Sequence, residues 1–536
     1  MNPNAKISVK EKIGYALGDG AANIAWRGVS TFLFIFYTDV FGIDPISVGL
    51  LMLVARSSDG ISDLVMGIIG DRSNSKYGKF RPWILWTAVP LALILSLLFT
   101  TPEPGEESKI VYAYVTYILF TLIYTANNIP YGALMAVMTG KDKERTSLGS
   151  YRMVGAFAGG MLVQGALLYL VVFFGNVNPE ISISTIKNSS NYEVVVSAPL
   201  YVESARIKLD EGLGKFTFAN QTLKDNEPTA TKSFKMEAGK EYRFIVSNFD
   251  NLKAENITII NQKEGYSKSM YLLSVFLAIF MIITFLSTKE RVLPPKNQKS
   301  DIKTDLKQLF SNRPWAVLLI IGLLFNIYTA IKQGIVVIYF AHYLHQELLA
   351  ASFMIALTLA SIGGAMLVAP LGEKWGKKKL FIYALLFSAG VNCLFMFCGP
   401  EDTTAIFVIG VISEAASAMF PTLLFVMLGD AADFSEWKNG RRATGLIYSA
   451  GSLATKFGGG IAGAIIGFVL ASFNYNGQDA AAIEGAIPGM IMLMSWVPAI
   501  IAFGAAGIML LYPLNMTKMN IITSELNKKR TTALID

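Results

Sequence analysis

The apolar residues of this chain arrive in unbroken blocks about twenty residues long, the length a helix needs to cross a bilayer core. Such blocks fall near 13–41, 45–70, 82–101, 110–138, 147–175, 269–287, 315–341, 348–371, 379–398, 405–429, 443–473 and 488–513. Of the 536 residues, 53% are hydrophobic and only 16% charged. A soluble chain carries nearer a quarter charged residues. The expectation is an all-α polytopic membrane protein with about twelve transmembrane helices.

The net charge of +7 does not point to nucleic acid, because the basic residues collect in alternate short loops. Arg72, Lys76, Lys79 and Arg81 follow the second block, and Lys141, Lys143 and Arg145 the fourth. Lys289, Arg291 and Lys296 follow the sixth, Lys374 to Lys379 the eighth, and Arg441 and Arg442 the tenth. The other loops carry Asp39, Asp44, Glu103, Glu106, Glu107, Glu401 and Asp402. Basic loops stay on the cytoplasmic side, which predicts a multi-pass protein of the plasma (inner) membrane with both termini cytoplasmic. The first block carries Asp19 and Arg27 and is too long for the apolar core of a signal peptide. Cys393 and Cys398 share one apolar block, so neither points to a disulfide or a metal site.

Two segments break the rhythm. Residues 176–268 form a polar insertion on the outer side, where YEVVV (Tyr192–Val196), GKFTFAN (Gly214–Asn220), YRFIVSN (Tyr242–Asn248) and NITIIN (Asn256–Asn261) read as strands of a small β sandwich. Residues 289–314 form a linker in which DIKTDLKQLF suits a short amphipathic helix on the inner surface. The predicted domains are helices 1–5 of a first bundle (1–175), the insertion (176–268), helix 6 (269–288), the linker, a second six-helix bundle (315–514) and a cytoplasmic tail (515–536).

Charges inside apolar blocks carry the chemistry. Each costs about 2.5–3.5 kcal/mol at the bilayer centre, so they belong to a lined cavity or to a counter-charge. Arg56, Asp59 and Asp63, spaced by three and four, share one face of the second helix. Two carboxylates a turn apart repel unless a cation or proton sits between them. Asp19, Asn23 and Arg27 recur every fourth residue of the first helix, beside Trp26. The fourth helix adds Tyr124, Thr125, Asn127 and Asn128, the fifth Arg152 and Gln164. Lys332, Glu414 and Lys456 come from the second half. Internal pairing that serves only packing remains open for Arg56 and Glu414, and Arg27 can be read as the partner of Asp19.

An internal repeat joins GIIGDRSNSKYGKFRP (Gly67–Pro82) to PLGEKWGKKKLF (Pro370–Phe381). Two such halves resemble the major facilitator superfamily, whose inner loops hold a gate shut; the resemblance implies conformational roles for Asp71, Arg72, Arg81, Glu373 and Arg441. Within it, the chain resembles the glycoside–pentoside–hexuronide:cation symporters. The matching stretches are EKIGYALGDG (Glu11–Gly20), FYTDVFG (Phe36–Gly42), LVARSSDGISDLVMG (Leu53–Gly67), YGKFRPWIL (Tyr77–Leu85), IYTANNIPYGAL (Ile123–Leu134) and MLGDAADFSEWKNGRRATG (Met427–Gly445). The resemblance implies cation ligation by Asp59, Asp63 and Thr125, with Ser62 in place of an asparagine, and substrate contacts from Arg152 and Lys456. Asn23 and Asn128 stand where melibiose-type members have sugar-binding aspartates, and Gly132 where they have a tryptophan. An amide both donates and accepts hydrogen bonds, so hydroxyls can still be read while a substrate carboxylate is no longer repelled.

The expected function is symport of a saccharide, leaning to a glycoside or hexuronide, with Na⁺ or H⁺ by alternating access. Asn23, Arg27, Tyr124, Asn128, Arg152, Lys332 and Lys456 are the expected substrate residues. No cofactor, no enzymatic activity and no metal centre are expected. The partners are a saccharide, a monovalent cation and membrane lipid, and the chain is expected to be a monomer. There is no GxxxxGK[ST] phosphate loop, and His342 and His345 lie at the outer end of helix seven, which argues against a buried histidine relay. Two alternatives stay open: a lysolipid-type symporter of the same superfamily, and a transport-inactive receptor using the outer domain.

Overall fold

A computed structural model describes residues 6–73, 75–102, 106–139, 142–186, 189–209, 214–219, 231–291, 312–439 and 444–532. The first bundle comprises α1 (Val9–Ile35), α2 (Pro45–Arg72), α3 (Arg81–Leu98), α4 (Glu106–Met138), α5 (Asp142–Gly175) and α6 (Gln262–Ser287). The second comprises α7 (Arg313–Ile338), α8 (Leu349–Met366, continued by Val368–Trp375), α9 (Lys377–Cys393), α10 (Thr403–Ser417, continued by Met419–Asn439), α11 (Thr444–Ser472) and α12 (Ile487–Met494, continued by Trp496–Leu510). A last helix, α13 (Met516–Thr532), follows. Among the described residues, nine helical segments are long and apolar enough to cross a membrane by length and composition. The charged helices α1 and α2 are not among the nine.

Local chemistry starts these helices where they start. Ser8 caps α1 by accepting from the Glu11 amide at 3.2 Å. Asp44 caps α2 from the Ser47 amide at 2.9 Å, with Pro45 in the first turn, where its missing N–H costs nothing. The Glu290 carboxylate, just past α6, accepts from the amides of Lys79, Phe80 and Arg81 at 2.8–2.9 Å and so caps α3 from another part of the chain.

The repeat extends to an irregularity. α1 runs into a π turn at Phe36–Val40 and α7 into one at Tyr339–Tyr343. Each is followed by a residue of positive φ, Gly42 at 78° and His345 at 56°. π turns concentrate at functional sites. These two bring Asp39 and His342, repeat-equivalent positions 303 residues apart, to a separation of 2.6 Å.

Between bundles, α2 lies along α11, α1 along α7 and α5 along α8. Gly49 meets the backbone of Gly463, and Gly467 that of Pro45. At the opposite end the ion pairs Glu11–Arg291 and Lys377–Asp430, both 2.7 Å, each stay within one bundle.

The insertion is a β sandwich of two antiparallel sheets, ordered β1-β2-β6-β4 and β5-β3-β7. Its strands are β1 (Glu180–Thr185), β2 (Tyr192–Ser197), β3 (Val202–Leu209), β4 (Lys215–Phe218), β5 (Thr231–Met236), β6 (Glu241–Ser247) and β7 (Ile257–Asn261). Val194, Val196, Ile207, Phe216, Phe244 and Ile259 fill the space between the sheets. The chain enters and leaves at one point, where Asn176 bridges Ile260 and Gly175 abuts the Asn261 carbonyl. The last strand passes into α6 at Gln262, seven residues before the expected start of helix six, because the polar run QKEGYSKS is already helical. The amphipathic linker segment lies outside the described residues.

Candidate functional site

The expected cation residues meet where α2 faces α4. Thr125 Oγ1 donates to Asp63 Oδ1 at 3.1 Å, and Ser62 Oγ lies 3.5 Å from Thr125 Oγ1. Ser62 also donates to the Asp59 carbonyl at 2.9 Å. Asp59 is 3% exposed and forms an ion pair with Arg56 at 3.6 Å, while the Arg56 guanidinium lies 4.0 Å from the centre of the Trp26 ring. Asp59 thus has an arginine beside it, and Asp63 the Thr125 hydroxyl.

The expected substrate residues divide into two groups. On the first bundle, Asn23 Nδ2 donates to the Asp19 carbonyl at 2.9 Å, and Asn128 Nδ2 to Tyr124 Oη at 3.3 Å. The Tyr124 ring lies 5.7 Å from Trp26. Arg152 pairs with Asp19 at 3.3 Å and lies over Tyr131 at 5.4 Å. Asp19 is therefore held by an arginine on α5, and the reading of Arg27 as its partner gives way. A side chain at Gly132 would point into open space.

Arg27 instead lines a cavity of about 370 Å³ between the bundles. Phe157 and Gln164 join it from the first bundle, and Asn326, Lys332, Gln333 and Glu414 from the second. Lys332 Nζ stands 3.3 Å from each of Glu414 Oε2, Tyr328 Oη and Ser413 Oγ. Glu414 accepts further bonds from Ser361 at 2.9 Å and Ser417 at 3.2 Å, and lines the same cavity as Arg27. A cavity of this size suits a small polar ligand. Sequence reading weighed Glu414 as a packing residue and passed over Asn326 and Gln333. The usable signal was a lone carboxylate in the apolar run of α10.

Of the expected gating residues, the side chains of Arg72, Arg81 and Glu373 are described. Arg72 and Glu373 are exposed. Arg81 donates to the carbonyls of Tyr77 and Phe285 at 3.1 and 2.7 Å, inside its own bundle. Arg441 and the side chains of Asp71 and Lys456 lie outside the described residues.

At the β-domain end, Asp39 and His342 correct the sequence reading. Asp39 is no loop acid, and His342, at the outer end of α7 as expected, is buried rather than open: their exposures are 6% and 2%. Asp39 also accepts from Tyr475 Oη at 2.6 Å and Thr38 Oγ1 at 2.7 Å.

Comparison with known proteins agrees with this architecture. A bacterial homologue of the human lysosomal transporter Spinster, in an inward-facing and unoccupied conformation, superposes with a TM-score of 0.62 at 12% identity, covering 94% of this chain and 97% of that one. At that identity the likeness is one of fold. The inner membrane symporter YicJ of Escherichia coli (strain K12) is 31% identical over 92% of this chain and 89% of its own length. The putative glycoside/cation symporter YagG of the same organism is 27% identical over 98% and 96%. The sequence model described as MFS/sugar transport protein matches residues 14–202 and 239–516, and with most of its length inside that match the chain belongs to this family of major facilitator transporters.

Proposed function

We infer that the chain carries a saccharide across the membrane together with Na⁺, by alternating access between its two bundles. It is a transporter and not an enzyme; one relative is named as a putative glycoside/cation symporter and another as an isoprimeverose transporter. The observation that carries the choice of ion is the oxygen cluster of Asp63, Thr125 and Ser62, a turn from Asp59. A sodium ion needs several oxygen ligands at once, whereas a proton needs one carboxylate and no hydroxyls around it. Arg56 competes with the ion for Asp59; binding of the ion releases Arg56 and lets α2 settle against its partners. Each ligand then favours the same state, so the coupling is reciprocal.

The saccharide occupies the 370 Å³ cavity, with Arg27 and Gln164 on one side and Lys332 and Glu414 on the other. Arg27, Lys332 and Glu414 together leave one positive charge, which suits a glycoside or a hexuronide. Asn23, Asn128, Tyr124 and Arg152, on the first bundle beyond the cavity lining, are proposed as further sugar contacts, and Lys456 is carried as one by the family resemblance alone. The loop charges support cytoplasmic termini and an outer β domain, so the bundle contacts at the β-domain end close the outer side. One charge moving through about 100 mV contributes roughly 2.3 kcal/mol and a tenfold ion gradient about 1.4 kcal/mol. Together they support accumulation of roughly several hundredfold.

Counterflow in right-side-out vesicles, against neutral and acidic glycosides with and without Na⁺ at fixed pH, tests the reading. Sodium-stimulated exchange of one glycoside class is expected. Stimulation by acid pH alone would replace Na⁺ by H⁺, and exchange of no saccharide at all would overturn the assignment. Glu414→Gln is expected to raise the KM for the sugar about ten- to a hundredfold with little change in maximum rate, because hydrogen bonds to a charged acceptor contribute about 1.5–3 kcal/mol.

A further inference from the structure

The β domain reaches deepest into the transport machinery through β3. Along β3, Ala205, Ile207 and Leu209 enter the sandwich core. Alternation along a strand sends Arg206 and Lys208 to the other face, and that face lies on the bundles. Lys208 pairs with Glu347 of the second bundle at 3.6 Å, and Lys215 with Glu484 at 3.2 Å. Arg206 goes deepest. It is 6% exposed, with Nη1 donating to Gln262 Oε1 at 3.3 Å and Nη2 meeting His342 Nδ1 at 3.5 Å.

That last contact sets the imidazole. A guanidinium has only N–H groups, so Nδ1 accepts and Nε2 carries the proton that it donates to Asp39 Oδ2 at 2.6 Å. The imidazole thus bridges Arg206 to Asp39, and Arg206 adds a positive charge beside the pair. Asp39 belongs to the first bundle and His342 to the second. Their contact exists only while the bundles are together at this end, so the arginine that completes it stabilises that state over its open counterpart. Both residues fall inside the family match, whereas Arg206 falls in the unmatched stretch 203–238. The family frame carries the two bundle ends, and the insertion supplies the cation.

We propose that the β domain is a clasp on this gate and that Arg206 is its positioning residue, holding His342 against Asp39 so that the carrier rests closed at the β-domain end. The proposal rests on the alternating-access reading. Opening at this end requires Arg206 to withdraw from a buried site, which lengthens the life of the closed state. A buried charge pair that loses one member leaves the other uncompensated, so removing the arginine shifts the population towards opening.

The test reads accessibility and uses no sugar. Gln333, which lines the cavity, is replaced by cysteine in a Cys393→Ser, Cys398→Ser background. Labelling by a membrane-impermeant maleimide is timed in right-side-out and inside-out vesicles. Arg206→Gln is expected to raise labelling from the β-domain side by about tenfold or more and to lower it from the other side. Arg206→Lys, which keeps the charge, is expected to fall between. Because the domain enters and leaves at one point, replacing 181–258 by a short Gly-Ser linker gives a second variant, expected to behave as Arg206→Gln. Unchanged labelling in both variants overturns the clasp, and so does a rise from both sides at once, which marks general loosening. Equal labelling of the parent from both sides would overturn the alternating-access reading and the clasp with it.

Discussion

Asp63→Asn is expected to abolish sodium-driven accumulation, lowering it by about two orders of magnitude or more, while the protein still folds and inserts. Asparagine keeps the shape and can still bond Thr125, which now stands 3.1 Å away. It removes the charge, and a charge a few ångströms from a bound cation contributes several kcal/mol even at an effective dielectric of about 20. Asp59→Asn is expected to differ in kind. There the loss strands Arg56, 6% exposed and stacked on Trp26, and breaking a buried pair costs about 3–5 kcal/mol of stability. Uptake against a sodium gradient, read beside thermal unfolding of the purified protein, separates the two. Undiminished accumulation in Asp63→Asn would remove the ion site from α2.

Gly467→Val is expected to prop the carrier open at its β-domain end. A β-carbon at Gly467 collides with the carbonyl oxygen of Pro45, and one at Gly49 lies 2.8 Å from that of Gly463. Both clashes are with backbone, so no rotamer relieves them, and overpacking of this kind costs about 1–3 kcal/mol or more. The strain exists only while α2 and α11 touch, so it falls on the closed state alone. Accessibility from the β-domain side is expected to rise about ten- to a hundredfold, with net transport falling in step. Gly67→Ala, whose new methyl meets nothing within contact distance, is the neutral control. Wild-type transport by Gly467→Val would mean that the two helices do not need to meet.

Most of the fold could be read from the residues because lipid imposes one rule, that backbone groups bond within a helix. All twelve helices lie where the apolar blocks predict them, with ends displaced by up to ten residues. The strands YEVVV, YRFIVSN and NITIIN were legible because β-branched residues dominate them. β3 was not: the charges of Arg206 and Lys208 hide its alternation, since the face they occupy is buried by the bundles rather than by water. Asp39 was read as a loop acid for the same reason. Its position at a helix end is local information, but its three partners arrive from Thr38, His342 and Tyr475, two of them more than 300 residues away. Arg27 followed the same pattern, since spacing offered Asp19 on its own helix, while packing assigned Asp19 to Arg152.

The meeting of the two π turns bears on ancestry. When identical halves are related by a two-fold axis, a residue near that axis faces its own copy. Two aspartates there would repel, and two neutral imidazoles would leave the neighbouring guanidinium without an anion. Asp39 and His342 are complementary only because they differ. Here a duplicated transporter could not stay symmetric, and a chain of two fused, divergent halves can hold a junction that a homodimer of either half could not.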